Sequence, residues 1–422
     1  MKKIALRRSI SLDTIFVYLA LLCVSSFALL EHVSSTIPMF SMLKMPMMLL
    51  GALCVFTQLK IICRCLLRKR YFFVFLTLCV FSGLLLWTAF VNRNPSVGDP
   101  PMTGTVRLIL YLMETFFLMM VVAETGRSKG VLRFLFWYVL IIVAINDFLL
   151  FTRLITFKAG RFENYLVGTK FSVAYLHMDL LTLWVINSNK SIRAYHFSKW
   201  KVALAAAYIM AVSIRVECMT GVMGCVTLVI LFLLIDSPKR RKLLPFTSPS
   251  ILLMVLAGTV LFAFVVDSIM AIPAVTYLVE DVLGRDTTLT GRTNIYFMYV
   301  DRMPGHWLSG YGYGNGNEVA VSMFGYENVQ NGFLQWVLQV GLFATGALAA
   351  WMVQIFRHLR RKRTRNQSRV LPLVALIYMF IIIGTIETTF NMALILWFML
   401  AYMLVNEKQR VVVLPDEPVE QG

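Results

Sequence analysis

Long apolar runs separated by short polar breaks fill almost the whole of this chain. Stretches of about 17 to 25 residues, the length that lets an α-helix cross a hydrocarbon layer, stand near residues 12–31, 38–59, 71–91, 105–125, 131–151, 171–187, 200–214, 217–235, 250–268, 328–356, 370–386 and 389–405. The pattern predicts an all-α polytopic membrane protein with about twelve transmembrane helices. Polar residues around Arg215 and Glu217 are all that divide the seventh span from the eighth, and Glu387, Thr388 and Thr389 all that divide the last two. No soluble domain is expected, so residues 1–422 form a single transmembrane domain. Residues 411–422, with two prolines and three acids, are expected to be a short disordered cytoplasmic tail.

The largest departure from the pattern lies between the ninth and tenth spans. Residues 269–327 are expected to form one large extracytoplasmic loop containing short helices. From Gly284 onward the chain gathers Arg285, Arg292 and Arg302, a glycine-rich turn and several aromatic residues. Loops of this length in compact proteins commonly carry function.

Charge tests the topology. A formal charge of +18 would point to nucleic acid in a soluble protein, but 29 of the 40 Lys and Arg residues fall in the two ends and in alternate interspan segments. The positive-inside rule then puts both termini in the cytoplasm, and most of the charge needs no nucleic-acid partner. Lys2, Lys3, Arg7 and Arg8 ahead of the first run resemble the start of a signal peptide. The run is long and lacks a small-residue cleavage site, which makes it an uncleaved first span. The basic residues left on the other side include Arg153, Arg161, Lys170, Arg215, Arg285, Arg292 and Arg302. Positive charge there opposes the topology signal and needs another reason, such as an anionic ligand reached from outside. For Lys44, Arg93, Arg107, Arg153 and Lys158, solvation or pairing with nearby acids is the simpler reason. The seven cysteines form no C-x-x-C pair, which argues against a disulfide framework and a metal site. No inverted repeat of the transporter kind is visible.

Three groups of residues follow one another through the long break. Thr290-Gly291-Arg292-Thr293-Asn294 opens a short amphipathic helix that ends near Pro304; Gly310-Tyr311-Gly312-Tyr313-Gly314 supplies alternating glycines; and Gln330-Asn331-Gly332-Phe333-Leu334 begins the tenth span. Alternating glycines let a backbone approach an anion or a sugar closely, though the same pattern also makes an ordinary flexible loop. In this order the groups resemble the O-antigen ligase and Wzy-type polysaccharide polymerase superfamily, bacterial membrane glycosyltransferases with a GT-C-like fold. Gly160-Arg161-Phe162 with Gly168-Thr169-Lys170-Phe171, and Arg215 with Thr220-Gly221, are weaker matches upstream. Two departures stand out. Gln330 occupies the position where many ligases have histidine, and Arg215 sits about one helical turn before the family's usual arginine.

The resemblance implies a metal-independent, cofactor-free enzyme that joins undecaprenyl-pyrophosphate-linked oligosaccharide repeat units on the outer face of a bacterial cytoplasmic membrane. Its products would be capsule, exopolysaccharide or O-antigen, and a chain-length regulator or a flippase would be its partner proteins. A ligase passing the glycan to lipid A, protein or wall polymer is the alternative, and a flippase or transporter of lipid-linked sugars the second; the missing histidine favours the polymerase. Guanidinium groups suit the charge that develops on a pyrophosphate leaving group, which assigns Arg292, Arg161 and Arg215 to catalysis. Pairing of Arg292 with Asp286 is its bland alternative. Lys170, Gly291, Tyr311, Gly312, Gly314, Gln330 and Asn331 are candidates for substrate binding, Asn331 equally for a helix cap. Glu327 and His306, with Glu318, Asp286 and Glu387, are candidate proton acceptors. His177 and Asp179, two residues apart on the sixth span, cannot share one helix face.

Overall fold

A computed structural model describes residues 11–155, 157–159, 162–188, 198–235, 244–277, 280–281, 292–362 and 366–408. Its twelve longer helices fall on the twelve apolar runs. In chain order they are α1 (Leu12–Leu29), α2 (Pro38–Phe56) and, after the short α3 (Leu59–Leu66), α4 (Lys69–Val91), α5 (Met102–Thr125) and α6 (Ser128–Thr152). A small antiparallel hairpin, β1 (Phe157–Ala159) with β2 (Phe162–Asn164), leads into α7 (Lys170–Ser188). Then come α8 (Lys199–Arg215), α9 (Met219–Ile235) and α10 (Pro249–Met270). The long break holds the short helices α11 (Pro273–Tyr277), α12 (Arg292–Arg302) and α13 (Gly316–Phe324), and α14 (Gly332–Arg361), α15 (Gln367–Ile383) and α16 (Met392–Asn406) follow. The tail at 411–422 lies outside the described residues.

Seven of these helices, α1, α2, α4, α5, α6, α10 and α14, are long and apolar enough to cross a membrane. Their surroundings agree. On α2, Leu49, Leu53 and Phe56 are 53%, 66% and 65% exposed; in water such a face would be an aggregation surface, whereas in lipid it is the ordinary outer surface. The protein is therefore embedded in a membrane and almost entirely helical. A helix apolar on all sides belongs in the middle of a bundle, and α16 is buried at every residue from Met392 to Asn406.

One end of the bundle, here the loop end, carries the connections 30–37, 92–101 and 384–391 and the described parts of 153–169 and of the long break. The opposite end is tied by charge. Glu124, at the end of α5, receives Arg68 (3.1 Å), Arg70, the Tyr71 hydroxyl (3.0 Å) and Lys408 (2.8 Å). Glu407 is joined to Ser128 and Asn366 nearby. These contacts lock α4, α5, α6 and the end of α16 together.

The tenth run begins at Gly332 because Asn331 caps it, its side-chain oxygen accepting from the Phe333 and Leu334 N–H groups. α14 is not continuous. At Gly341 the backbone is left-handed (φ 72°, ψ 175°), and the loop repairs the break. The Tyr311 N–H donates to the Leu338 carbonyl (2.9 Å), the Gly312 N–H to the Gln339 carbonyl (2.7 Å), and the Leu342 N–H to the Trp307 carbonyl (2.8 Å). A helix can be interrupted within a membrane protein only where other groups satisfy its freed backbone, and here the glycine-rich turn does so.

Candidate functional site

A cavity of about 410 Å³ opens at the loop end, below the glycine-rich turn. One stripe of α7 forms its deep wall: Ser172, Tyr175, Leu176 and Asp179, spaced so that they share a helix face. α14 contributes Gln335, Trp336 and Gln339 just before its break. Glu31 and His32 come from the link between α1 and α2, Glu387 and Asn391 from the link between α15 and α16, and Tyr313, Glu327 and Asn328 from the long break.

The lining is held stiffly. The Trp336 indole N–H donates to the Phe390 carbonyl (2.5 Å), and Tyr313 packs on the Trp336 ring with centroids 5.7 Å apart. The Gln335 side-chain oxygen accepts the Val329 N–H (2.9 Å), and Thr220 donates to Glu387 (3.2 Å). In this lining, Oε2 of Glu31 and Oδ1 of Asp179 are buried with no hydrogen-bond partner among the described residues, Asp179 being only 2% exposed. A buried carboxyl oxygen without a partner is costly, so each is a position where a ligand donor would be stabilising.

Four acids, Glu31, Asp179, Glu327 and Glu387, stand in this lining, and among the described residues no Lys or Arg does. Lys170 stands between the lining residues Thr169 and Phe171, its ammonium 5.8 Å from the centre of the Phe171 ring. Burial pushes the neighbouring Cys218 thiol up to about 11; Glu387 raises it further and Lys170 lowers it. Lys170 and Glu387 thus act on the same small volume.

The remaining candidates divide sharply. Arg292 is the first residue of α12; its side chain, and Gly291, Asp286, Gly160 and Arg161, lie outside the described residues. One turn into α12, about 6 Å along the axis, the Tyr296 hydroxyl donates to the Gln330 carbonyl (2.9 Å), with the Thr385 carbonyl 3.3 Å away. The beginning of α12 therefore sits beside the segments that carry Asn328 and Glu387. Gln330 itself is half-buried with φ 56° and uses its backbone, accepting from Tyr296 and donating to Asn328.

Other candidates turn out to build the protein. Asn331 is wholly buried, its oxygen capping α14 and its amide nitrogen donating to the Thr259 (3.0 Å) and Thr385 (3.2 Å) carbonyls, so nothing of it is left for a sugar. Gly312 packs on Pro101, and the Gly314 N–H faces the Gln339 side chain (3.4 Å). The close approach that these glycines allow is to protein, not to a ligand. Tyr311 stacks on His306 at 3.9 Å and donates to the Arg302 carbonyl, and neither ring lines the cavity. Of the candidate proton acceptors, Glu327 and Glu387 line it, while His306 and Glu318 do not. Arg215 lines a separate crevice with Arg153.

Sequence reasoning missed Glu31, Gln335 and Gln339. Only their partners in space mark them out. Asp179 had a readable signal, an acid in the middle of an apolar run, and its place opposite His177 on α7 agrees with their spacing.

Comparison of the chain with protein-family models gives no match, and neither curated proteins nor solved structures match it. Its function has to be argued from its own residues.

Proposed function

We propose that this chain is a membrane glycan polymerase that joins undecaprenyl-pyrophosphate-linked repeat units, crossing a bacterial cytoplasmic membrane twelve times with both termini in the cytoplasm and the loop end outside. The observation that carries the reading is the lining of the cavity: side-chain amides and carboxylates beside the rings of Tyr175, Tyr313 and Trp336. Aromatic faces against the C–H surface of a sugar, with acceptors around its hydroxyls, make a lining suited to a glycan and poorly suited to an apolar solute.

In the reaction, the hydroxyl oxygen of the acceptor sugar bonds to the anomeric carbon of the donor. The bond from that carbon to the pyrophosphate oxygen breaks with its electron pair, and the pyrophosphate lipid leaves. The hydroxyl proton passes to a carboxylate, for which Glu327, Glu387 and Glu31 stand in the lining. The leaving group's charge calls for cations at the rim. In this reading Lys170 supplies one, and Arg292, the first residue of α12, and Arg161, between β1 and β2 in the sequence, are the further candidates. Arg215, facing a different crevice, has no part in this reading.

Purified full-length protein given lipid-linked repeat units without added metal is expected to yield a ladder of lengthened glycans, lost in Arg292→Ala. One transfer to a foreign acceptor would make it a ligase. Translocation in liposomes with no turnover would overturn the enzyme reading.

A further inference from the structure

The face of α7 turned away from the cavity borders a second feature, which runs from the loop end inward between α6, α7 and α8. At the loop end, Arg153 and Arg215 line one crevice of about 80 Å³ together with Asn146 and Asn164. Both arginines are exposed, and neither guanidinium has a hydrogen-bond or ion-pair partner among the described residues. Two uncompensated arginines on one crevice repel each other unless an anion lies between them.

Further in, Tyr208 stands seven residues before Arg215 on the same face of α8, about 10 Å along the helix. Its hydroxyl donates to Asp147 Oδ2 (2.6 Å), which also pairs with His177 Nε2 (3.0 Å). His177 Nδ1 lies 2.7 Å from the Val173 carbonyl. That carbonyl can only accept, so Nδ1 carries a proton, and one more proton is shared between Nε2 and Asp147. Asn146, which lines the crevice, donates to Asp147 Oδ1 (3.4 Å) and joins the two levels.

Below the cluster an apolar groove of about 460 Å³ continues along α6 past Val143, Ala144 and Leu140 to Phe136, faced by Leu181 and Trp184 of α7. From Asp147 to Phe136 it runs roughly 16 Å, at 1.5 Å per residue. Ala144 and Tyr208 are exposed, so the groove opens toward the lipid.

The geometry points to a binding site for one anionic glycerophospholipid of the surrounding bilayer, its phosphate between Arg153 and Arg215 and an acyl chain in the groove. Charge complementarity selects the head, because neither Arg153 nor Arg215 has an ion-pair partner among the described residues. The position selects a bilayer lipid over a lipid-linked substrate, because the phosphate would lie on the side of α7 opposite the cavity. This assignment does not depend on what the cavity does.

Native mass spectrometry of the full-length chain in detergent tests it, with phosphatidylglycerol and phosphatidylcholine of identical acyl chains as probes. Phosphatidylglycerol adducts are expected to outlast phosphatidylcholine adducts. Their retention should fall roughly tenfold or more in Arg153→Ala/Arg215→Ala. Ala144→Phe, which fills the groove and leaves the arginines in place, should lower it as well. Gel filtration and circular dichroism check that the variants are folded. Equal retention of the two lipids, or retention unchanged in the double variant, would overturn the site. So would displacement of phosphatidylglycerol by an equal amount of a polyprenyl phosphate, which would assign the strip to a carrier lipid.

Discussion

Gly310 and Gly341 meet so closely that a Cβ on Gly310 would come within 2.6 Å of the Gly341 nitrogen, and a Cβ on Gly341 would overlap the Leu308 carbonyl. Both have positive φ, 62° and 72°. The pair is where the long loop enters the broken helix α14, and Gln335 and Gln339 line the cavity from the turns just before that break. Gly341→Ala is expected to cost about 1–3 kcal/mol from backbone strain alone and to free the loop, seen as a lower melting temperature and faster proteolysis near residues 303–315. Gly346→Ala is the control, since a Cβ there meets nothing within 4 Å; it should be neutral or stabilising by up to about 1 kcal/mol.

Asn331 separates a structural role from ligand binding. Asn331→Ala removes two cap bonds and two donated bonds at a buried position. It should destabilise the protein by roughly 1–3 kcal/mol. Asn331→Asp keeps the cap but sets a buried carboxyl oxygen against the Thr259 and Thr385 carbonyls, and should destabilise at least as much. If Asn331→Ala instead weakened glycan binding at unchanged melting temperature, Asn331 would be returned to the site.

At the opposite end, Glu124 gathers Arg68, Arg70 and Lys408 onto a side chain that is 3% exposed. Glu124→Gln is expected to cost about 3–5 kcal/mol, because it strands partly buried cations. Lys408→Ala, at a side chain 53% exposed, should cost under about 1 kcal/mol. Thermal unfolding in detergent compares the two.

Cysteine labelling reports the orientation. Cys63 on α3 is the one exposed cysteine, and it lies at the end of the bundle away from the loops. A membrane-impermeant maleimide should modify it in inside-out vesicles and leave it untouched in right-side-out ones; the reverse result would invert the topology. Cys218, at the loop end, should stay silent in both. It is buried, and a thiol raised to about 11 yields its reactive thiolate only as pH climbs toward that value, so at pH 8 it is protonated.

The sequence alone determined where the helices lie. An apolar run in lipid has to satisfy every backbone group internally, and a helix is the one way a single segment can do so; hence the twelve longer helices follow the hydrophobic pattern, whereas the short α3, α11 and α13 had no apolar run to mark them. Which side of a helix faces inward was not legible, because runs apolar all round have no polar face to orient them. Only the tertiary structure turned Asp179 toward the cavity and His177 toward Asp147, sent Arg215 to a crevice with Arg153, and brought Glu31 from the first connection to Glu387 in the last. It also gave the alternating glycines their partner. Backbone that can approach anything closely is written in Gly310, Gly312 and Gly314, but what it approaches is a break in α14 some thirty residues on, and that contact exists only once the helices have packed.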